Sequence, residues 1–245
     1  YVRETDKHNR AGGLQSAWND LVVSEQTLKT RPSLFAFLGS SMFFRDALNS
    51  LYSFGGDYAV LVLGWNLMQI AIFGIIGVIA AAIGTTASGF FDRAKGPKPV
   101  IVFHVSLLTL TATVIVGLTP NTLFGMPIPR SFPLGGIGTA DLILYVCGAI
   151  IGASGGGLYA ASRSMMVRHT DPARPSEAFG LFALSGKATA FLAPAMIAAF
   201  TFMLSDTRLG YIPVILLFLL GLYLLRWVQE NGDQEKWSAD AIPAP

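Results

Sequence analysis

Three ionisable side chains, Arg45, Asp46 and Lys187, lie inside stretches of the chain that are otherwise apolar. A charge at the depth of a bilayer costs about 3 kcal/mol on insertion scales, so such residues rarely occur there without a partner or a task. Cationic side chains can bind the anionic group of a solute, and a carboxylate can carry a proton. We therefore expect the three side chains to face a pathway for a solute or a proton.

Arg45 and Asp46 begin a polar stripe on one predicted helix. Asn49 follows Arg45 by four residues and Tyr52 follows Asn49 by three, so these side chains share one helix face. We interpret the stripe as the lining of a water-filled pathway, in which Arg45 holds an anionic group and Asp46 carries a proton. The alternative is a buried ion pair, or a contact that attaches this helix to a neighbour. Gln69, in the next apolar stretch, is a further intramembrane amide, and we include it among the candidate site residues.

Lys187 has small polar neighbours, Ser185, Gly186 and Thr189, and Pro194 interrupts the helix that follows. Small polar residues and a helix break are typical of a surface that faces protein or a cavity. The alternative is that the flexible stem of Lys187 carries its ammonium group to the inner membrane surface. We favour the surface that faces a cavity.

The elements that must position these side chains are membrane-spanning helices. Apolar residues make up 52% of the chain and charged residues 13%, with a mean hydropathy of +0.54, whereas a soluble domain carries about 25% charged residues. Stretches of about 20 apolar residues, the length that crosses a bilayer, recur along the chain. We predict a break at Gly55 and Gly56 in the first span and an N-cap at Asn66 for the second. The six predicted spans are 34–63, 66–91, 99–118, 140–161, 178–204 and 209–228.

Cations are distributed unequally between the two sides of these spans. With the N-terminus in the cytoplasm, thirteen Lys and Arg residues lie inside, and only Arg130 and Arg208 lie outside. This asymmetry predicts that both termini are cytoplasmic, and cations sorted in this way form no patch for nucleic acid.

The predicted spans divide the chain into three parts. Residues 1–32 form a polar, amphipathic cytoplasmic segment, residues 33–228 a six-helix transmembrane domain, and residues 229–245 a disordered cytoplasmic tail. Because the chain begins with Tyr rather than Met, we expect it to continue from an upstream segment.

The six spans form two triplets, 34–118 and 140–228, joined by an outside loop rich in Pro and Gly. The third and sixth spans are the least polar, and the candidate site residues lie on the first, second and fifth. Two helices that line a cavity, followed by one that supports them, are typical of an inverted repeat in a transporter. The predicted fold class is therefore an all-α membrane protein with six transmembrane helices arranged as two three-helix inverted repeats.

The fourth span carries Gly148, Gly152 and Gly156, a spacing that lets a second helix approach closely. We predict helix packing there, with a flexible gating point as the alternative. Ser154 completes a G-x-S-x-G pattern, but the sixth span has no histidine to act as its general base. The single cysteine, Cys147, argues against a disulfide framework and a metal cluster. We expect no enzyme activity, no metal and no cofactor.

The inside loop after the second span, residues 88–98, contains Asp92, Arg93 and Lys98. It resembles the signature loop of the major facilitator superfamily, G-x-x-x-D-R-x-G-R/K, although Ser88 stands in place of the first Gly. The resemblance implies that Asp92, Arg93 and Lys98 tune the switch between access states. The alternative, anchoring by cations at the inner surface, leaves Asp92 unexplained.

Residues 162–194 resemble one branch of that superfamily, which contains the bacterial "unknown major facilitator" family and the fungal autophagy-related vacuolar amino-acid effluxers. The resemblance rests on Ser-Arg-Ser-Met-Met-Val-Arg-His-Thr-Asp-Pro and on Gly-Lys-Ala-Thr-Ala-Phe-Leu-Ala-Pro. It extends to the first span, where Ala47 replaces the Gly that often follows the Asp. It covers nearly all six spans, but only the C-terminal half of such a transporter, which normally has twelve.

The resemblance implies the C-terminal half of a secondary active transporter that moves a small polar solute, an amino acid in the fungal relatives, by alternating access with proton coupling. Arg45 and Lys187 would bind the carboxylate of the solute, and Asp46 would couple transport to protons. The partners would be membrane lipid and an N-terminal six-helix half, in the same gene product or a separate chain, in the cytoplasmic (inner) membrane of a bacterium. The alternative is a non-transporting integral membrane subunit that packs against a larger membrane complex.

Overall fold

The computed structural model describes residues 31–130, 137–172 and 175–233. A small antiparallel hairpin, β1 (Thr122–Leu123) and β2 (Met126–Pro127), lies in the loop after the third helix. Single 3₁₀ turns cover Leu209–Tyr211 and Leu225–Trp227. The α-helices in these ranges are α1 (Pro32–Leu63), α2 (Leu67–Lys95), α3 (Pro97–Gly117), α4 (Thr139–His169), α5 (Pro175–Ala188), α6 (Leu192–Leu204) and α7 (Ile212–Leu224). The chain is therefore an all-α membrane protein, as predicted.

Five stretches of the described residues are long and apolar enough to cross a membrane. They are Leu67–Lys95, Pro97–Gly117, Thr139–His169, Ala178–Leu204 and Leu209–Trp227. The helix α1 has the length for a crossing, at 32 residues, but its polar side chains make it less apolar than these five. The sixth span and the inverted repeat therefore stay predictions.

The turn between α1 and α2 has a sequence that explains both helix ends. Gly64 takes up the left-handed conformation, with φ 71°, and ends α1, because glycine adopts this conformation without steric cost. The Asn66 side chain accepts the Gln69 N–H, and the Gln69 side chain accepts the Asn66 N–H, both at 3.0 Å. This capping box begins α2 and confirms Asn66 as the predicted N-cap.

The predicted break at Gly55 and Gly56 is wrong. The helix α1 continues through both residues, whose Cα positions face Phe73 and Ile70 of α2. Contacts with the neighbouring helix outweigh the low helix propensity of glycine at these positions.

The helix α4 occupies the centre of the arrangement and packs against α2 and α3, while α7 packs against α1 and α3. Fully buried side chains on these helices form the core, among them Phe37, Phe44, Leu108, Leu158 and Phe218. The helix α2 differs, because it buries only Ser88 and exposes most of its apolar side chains. Its outer face is open to lipid or to another helical unit.

The first residues of the predicted disordered tail are folded. Arg31 donates from Nε and Nη2 to Asp233 Oδ2, at 2.9 and 2.7 Å, and also to the His169 carbonyl. Ser33 Oγ lies 2.9 Å from His169 Nε2 and accepts the Gln229 N–H at 2.9 Å. Residues 229–233 therefore pack against the N-terminal end of α1 and the C-terminal end of α4, because a buried ion pair and hydrogen bonds hold them there. The predicted amphipathic segment up to residue 30, and the tail from residue 234, lie outside the described residues.

Candidate transport site

The guanidinium group of Arg45 is held by α5, lies beside the Tyr159 phenol of α4, and keeps one donor without a partner. Nη1 donates to the Phe182 carbonyl of α5 at 3.0 Å, and the guanidinium carbon lies 4.4 Å from the centre of the Phe182 ring. The second contact is a cation–π interaction. Nε is buried and has no hydrogen-bond partner among the described residues. An Arg held in this way keeps donors for the planar carboxylate of a ligand.

The polar stripe of α1 faces α4. Tyr159 of α4 donates to Asn49 Oδ1 at 2.6 Å, and its phenol interacts electrostatically with Arg45 and Arg163. The Tyr52 hydroxyl lies 3.5 Å from the Ile151 carbonyl of α4, and Gly155 leaves room for it there. Tyr159 therefore joins the predicted stripe from the neighbouring helix.

Sequence reasoning missed Tyr159 and Phe182. Tyr159 precedes Arg163 by four residues, so a phenol and a cation share one face of an otherwise small and apolar helix. That pattern was a usable signal for a polar surface on α4. Phe182 offers no such signal, because a phenylalanine in an apolar helix is far more often a core residue.

Lys187 lies next to the point at which α5 contacts Arg45. A Cβ at Gly186 would lie 2.5 Å from Arg45 Cζ, so glycine is needed for α5 to come this close. The Lys187 side chain is exposed, as is that of Arg163 on α4. We call Arg45, Arg163 and Lys187 the cation group.

The cation group has no carboxylate partner among the described residues. The described residues form ion pairs elsewhere, at Arg31–Asp233 and at Arg208–Asp206, both at 2.7 Å. Hydrogen bonding from Arg208 lowers the pKa of Asp206, in the loop that follows α6. Neither pair involves the cation group, so no carboxylate of the described residues neutralises its positive charge, and an anionic ligand can do so.

Asp46 contacts a different part of the fifth span. Its side chain is only 2% exposed, and Oδ2 accepts the backbone N–H of Ala193 in α6 at 2.8 Å. No ion pair joins Arg45 to Asp46 in the described structure. Of the alternatives open at the level of sequence, the structure shows for Asp46 a contact that attaches α1 to a neighbouring helix.

The structure does not bring Gln69 to the other candidate residues. Its side chain belongs to the capping box at the start of α2, and its carbonyl lies 3.4 Å from the Tyr145 hydroxyl. Tyr145 and Tyr159 are fourteen residues apart on α4, which is about 21 Å along a helix. Gln69 therefore lies near one end of the helices, well separated from Asn49.

Asp92 and Arg93 lie in the last turn of α2, and Lys98 lies in the first turn of α3. Gly96, between the two helices, has φ 82°, and a Cβ there would lie 3.3 Å from the guanidinium of Arg168. The Asp92 carbonyl accepts the Gly96 N–H at 2.8 Å, while its carboxylate forms no ion pair with another described residue. A role for this loop in the switch between access states stays a prediction.

Gly148, Gly152 and Gly156 all face α2. A Cβ at Gly152 would overlap the Gly77 carbonyl, and one at Gly156 would lie 2.6 Å from the Ala81 carbonyl. The backbones of α2 and α4 are in direct contact at these positions, so side chains are excluded from them.

Residues 3–236 match the protein family described as "Vacuole effluxer Atg22 like". The chain belongs to this family. It is 22% identical over 241 residues to Autophagy-related protein 22-1 of Neosartorya fischeri, and the aligned region covers 96% of the chain and 38% of that protein. It is 24% identical over 232 residues to Autophagy-related protein 22 of Coccidioides immitis, covering 92% and 37%. It is also 21% identical over 200 residues to the Uncharacterized MFS-type transporter YxiO of Bacillus subtilis, covering 81% and 42%.

These matches confirm the resemblance to the major facilitator superfamily. The Atg22-like chain is an integral membrane protein of a transporter family, and its relatives are transporters rather than enzymes. The chain spans about two fifths of the length of the curated relatives that it matches. No solved structure matches it.

Proposed function

We propose that this Atg22-like chain is the C-terminal half of a secondary active transporter that moves an amino acid across the membrane by alternating access. The observation that carries the proposal is the cation group, which has no carboxylate partner among the described residues. An amino acid supplies the carboxylate that such a group binds. Effluxers of the same family, from fungal vacuoles, support a small solute as the cargo.

Each residue of the site has a distinct part in this proposal. Arg45 binds the solute carboxylate through the donors that Phe182 leaves free, and Lys187 adds a second positive charge. Asn49 and Tyr159 form the polar wall between α1 and α4. Tyr52 borders a cavity of about 470 Å³ between α1, α2 and α4, which extends toward the C-terminal end of α1 and would receive the rest of the solute.

The proposal requires a second half. The exposed apolar face of α2 and the missing three fifths of the length of the relatives support an N-terminal six-helix unit, in the same gene product or as a separate chain. Membrane lipid would cover the remaining apolar surface. We place the transporter in the cytoplasmic (inner) membrane of a bacterium, with both termini inside, because the cations favour that orientation.

The proposal includes coupling to protons. Uphill uptake of the amino acid into vesicles should then depend on a pH gradient and should stop when a protonophore removes it. Uphill uptake that survives the protonophore would contradict proton coupling without affecting the proposed substrate site.

Counterflow in vesicles tests the site. The full-length transporter is reconstituted and the exchange of labelled amino acids is measured for the wild type, Arg45→Gln and Lys187→Gln. We expect each substitution to lower the exchange rate at low substrate by at least about tenfold, because a charge-assisted hydrogen bond is lost. Arg226→Gln is the matched control, since Arg226 is exposed and stacks on Tyr223 at the inner end of α7. Wild-type exchange in both site variants would contradict the assignment.

Family membership favours a transporter over a subunit that only packs against a larger complex. No described contact surface adds support for that second function, and an exchange of amino acids by the isolated transporter would exclude it as the sole role.

A further inference from the structure

The fifth span is broken near its middle. Pro194 has no N–H, and its ring would clash with the carbonyl of Ala190 in a continuous helix. The helix α5 accordingly ends at Ala188, residues 189–191 form a turn, and α6 begins at Leu192. The break lies directly after the segment that contacts Arg45.

The first N–H groups of α6 need partners, because a helix start leaves them without carbonyls of their own. The Leu192 N–H donates to the Thr189 carbonyl at 2.8 Å, and Pro194 has none to donate. Phe191, at the N-cap position, supplies no side-chain hydrogen bond. The Ala193 N–H instead donates to Asp46 Oδ2 at 2.8 Å. A residue of α1 therefore caps α6. In most helices this hydrogen bond comes from the N-cap residue, which directly precedes the helix.

Arg45 holds the other side of the same break. Adjacent helical residues point about 100° apart, so Arg45 and Asp46 reach different parts of the fifth span. Arg45 contacts the Phe182 carbonyl and ring of α5, while Asp46 binds the start of α6. Two consecutive residues of α1 thus fix the two segments on either side of the break.

We propose that Asp46 is a positioning residue: it caps α6, sets the angle of the break in the fifth span, and makes the break respond to the solute bound at Arg45. The inference rests on the proposed function, because a carboxylate that binds the other donors of Arg45 draws the guanidinium away from the Phe182 carbonyl. Loss of that hydrogen bond loosens α5 at Arg45 and leaves the ring contact between Phe37 and Phe182, while α6 stays attached to α1 through Asp46. The break is then the point at which one segment moves relative to the other.

Two substitutions distinguish whether Asp46 acts as the hydrogen-bond acceptor that caps α6 or through its negative charge. Asp46→Asn keeps an oxygen that accepts the Ala193 N–H, whereas Asp46→Ala removes the acceptor. Measured as amino-acid counterflow by the full-length transporter in vesicles, we expect Asp46→Asn to keep wild-type KM and a maximal rate within a few-fold. We expect Asp46→Ala to lower the maximal rate up to about tenfold, the fold-change that corresponds to the free energy of a cap if all of it is lost in the transport step.

A thiol at the break gives a readout that does not depend on transport. Cys147 is buried and is the single cysteine of this chain, so Cys147→Ser, together with replacement of every cysteine in the rest of the full-length protein, provides a background for Ala190→Cys at an exposed position of the turn. We expect a water-soluble maleimide to label residue 190 faster in Asp46→Ala than in Asp46→Asn or the parent. Added amino acid should change the labelling rate in the parent and in Asp46→Asn, but not in Asp46→Ala.

A third variant covers the case in which Asp46→Ala does not fold. Ala193→Pro removes the donor instead of the acceptor, in the first turn of α6 where the missing N–H breaks no helical hydrogen bond. Because Ala193 is buried, Ala193→Val is the control that adds volume and keeps the N–H. Ala193→Pro should reproduce the fast labelling and the low maximal rate. Asp46→Asn with a tenfold loss of counterflow and parental labelling would overturn the inference, because Asp46 would then act through its charge. Parental labelling and rate in Ala193→Pro would overturn it as well. A wild type that exchanges no amino acid would instead contradict the proposed function.

Discussion

At the scale of single residues, the hydrogen bond between Tyr159 and Asn49 joins the two helices that carry the proposed site. The phenol donates to Asn49 Oδ1 at 2.6 Å and also interacts with Arg45 and Arg163. It can therefore fix the amide of Asn49 and orient the surface that faces the solute. A residue in this position affects how well the solute is held more than whether the protein folds.

Tyr159→Phe should raise the KM of counterflow several-fold with little change in maximal rate. The substitution removes one hydroxyl and its hydrogen bond, typically about 1 kcal/mol, and keeps the ring. Tyr223→Phe is the control, because the Tyr223 side chain is 52% exposed at the inner end of α7. An unchanged KM in Tyr159→Phe would place Tyr159 outside the site.

Sequence alone predicted the residues of the α1 stripe, because charges and amides stand out in an apolar segment. It could not predict their partners. Tyr159 and Phe182 come from two other helices, and the contact of Phe182 with α1 depends on Gly186 letting α5 approach. Nor could it show that Arg45 and Asp46 hold separate segments, because that depends on where the fifth span breaks.

At the scale of elements, the contact between α2 and α4 depends on glycine. The spacing of Gly148, Gly152 and Gly156 predicted a close approach, and the structure places all three against α2. The same reasoning failed at Gly55 and Gly56, where glycines pack within a continuous helix instead of breaking it. A pattern of small residues indicates that two helices pack closely. It does not show whether the helix that carries the glycines continues through them or breaks there.

Gly152→Ala should destabilise the folded protein by about 1–3 kcal/mol, the usual cost of overpacking. The new methyl group would overlap the Gly77 carbonyl, which belongs to a backbone and cannot move aside alone. Gly74→Ala in α2 is the matched control, since a Cβ there would meet no atom within 4 Å. Thermal unfolding in detergent measures both, and equal melting temperatures would contradict the close contact.

At the scale of the whole molecule, the charges and the exposed apolar surface agree with the proposal that the chain is half of a larger transporter. The cation group lies on the side formed by α1, α4 and α5, and α2 presents a largely exposed apolar helix. The segment that ends at Asp233 covers the N-terminal end of α1 and the C-terminal end of α4. Hydropathy predicted the helices, whereas the folding of residues 229–233 depended on a partner, Arg31, that lies some 200 residues away in the sequence.

The most direct test of the account is whether the solute needs its carboxylate. Counterflow of the transported amino acid by the full-length protein is measured in the presence of the unlabelled amino acid or of its carboxamide, which has the same side chain and amino group. The account predicts that the amino acid competes and the carboxamide does not, because Arg45 and Lys187 bind the negative charge. Equal competition by the two compounds would contradict it.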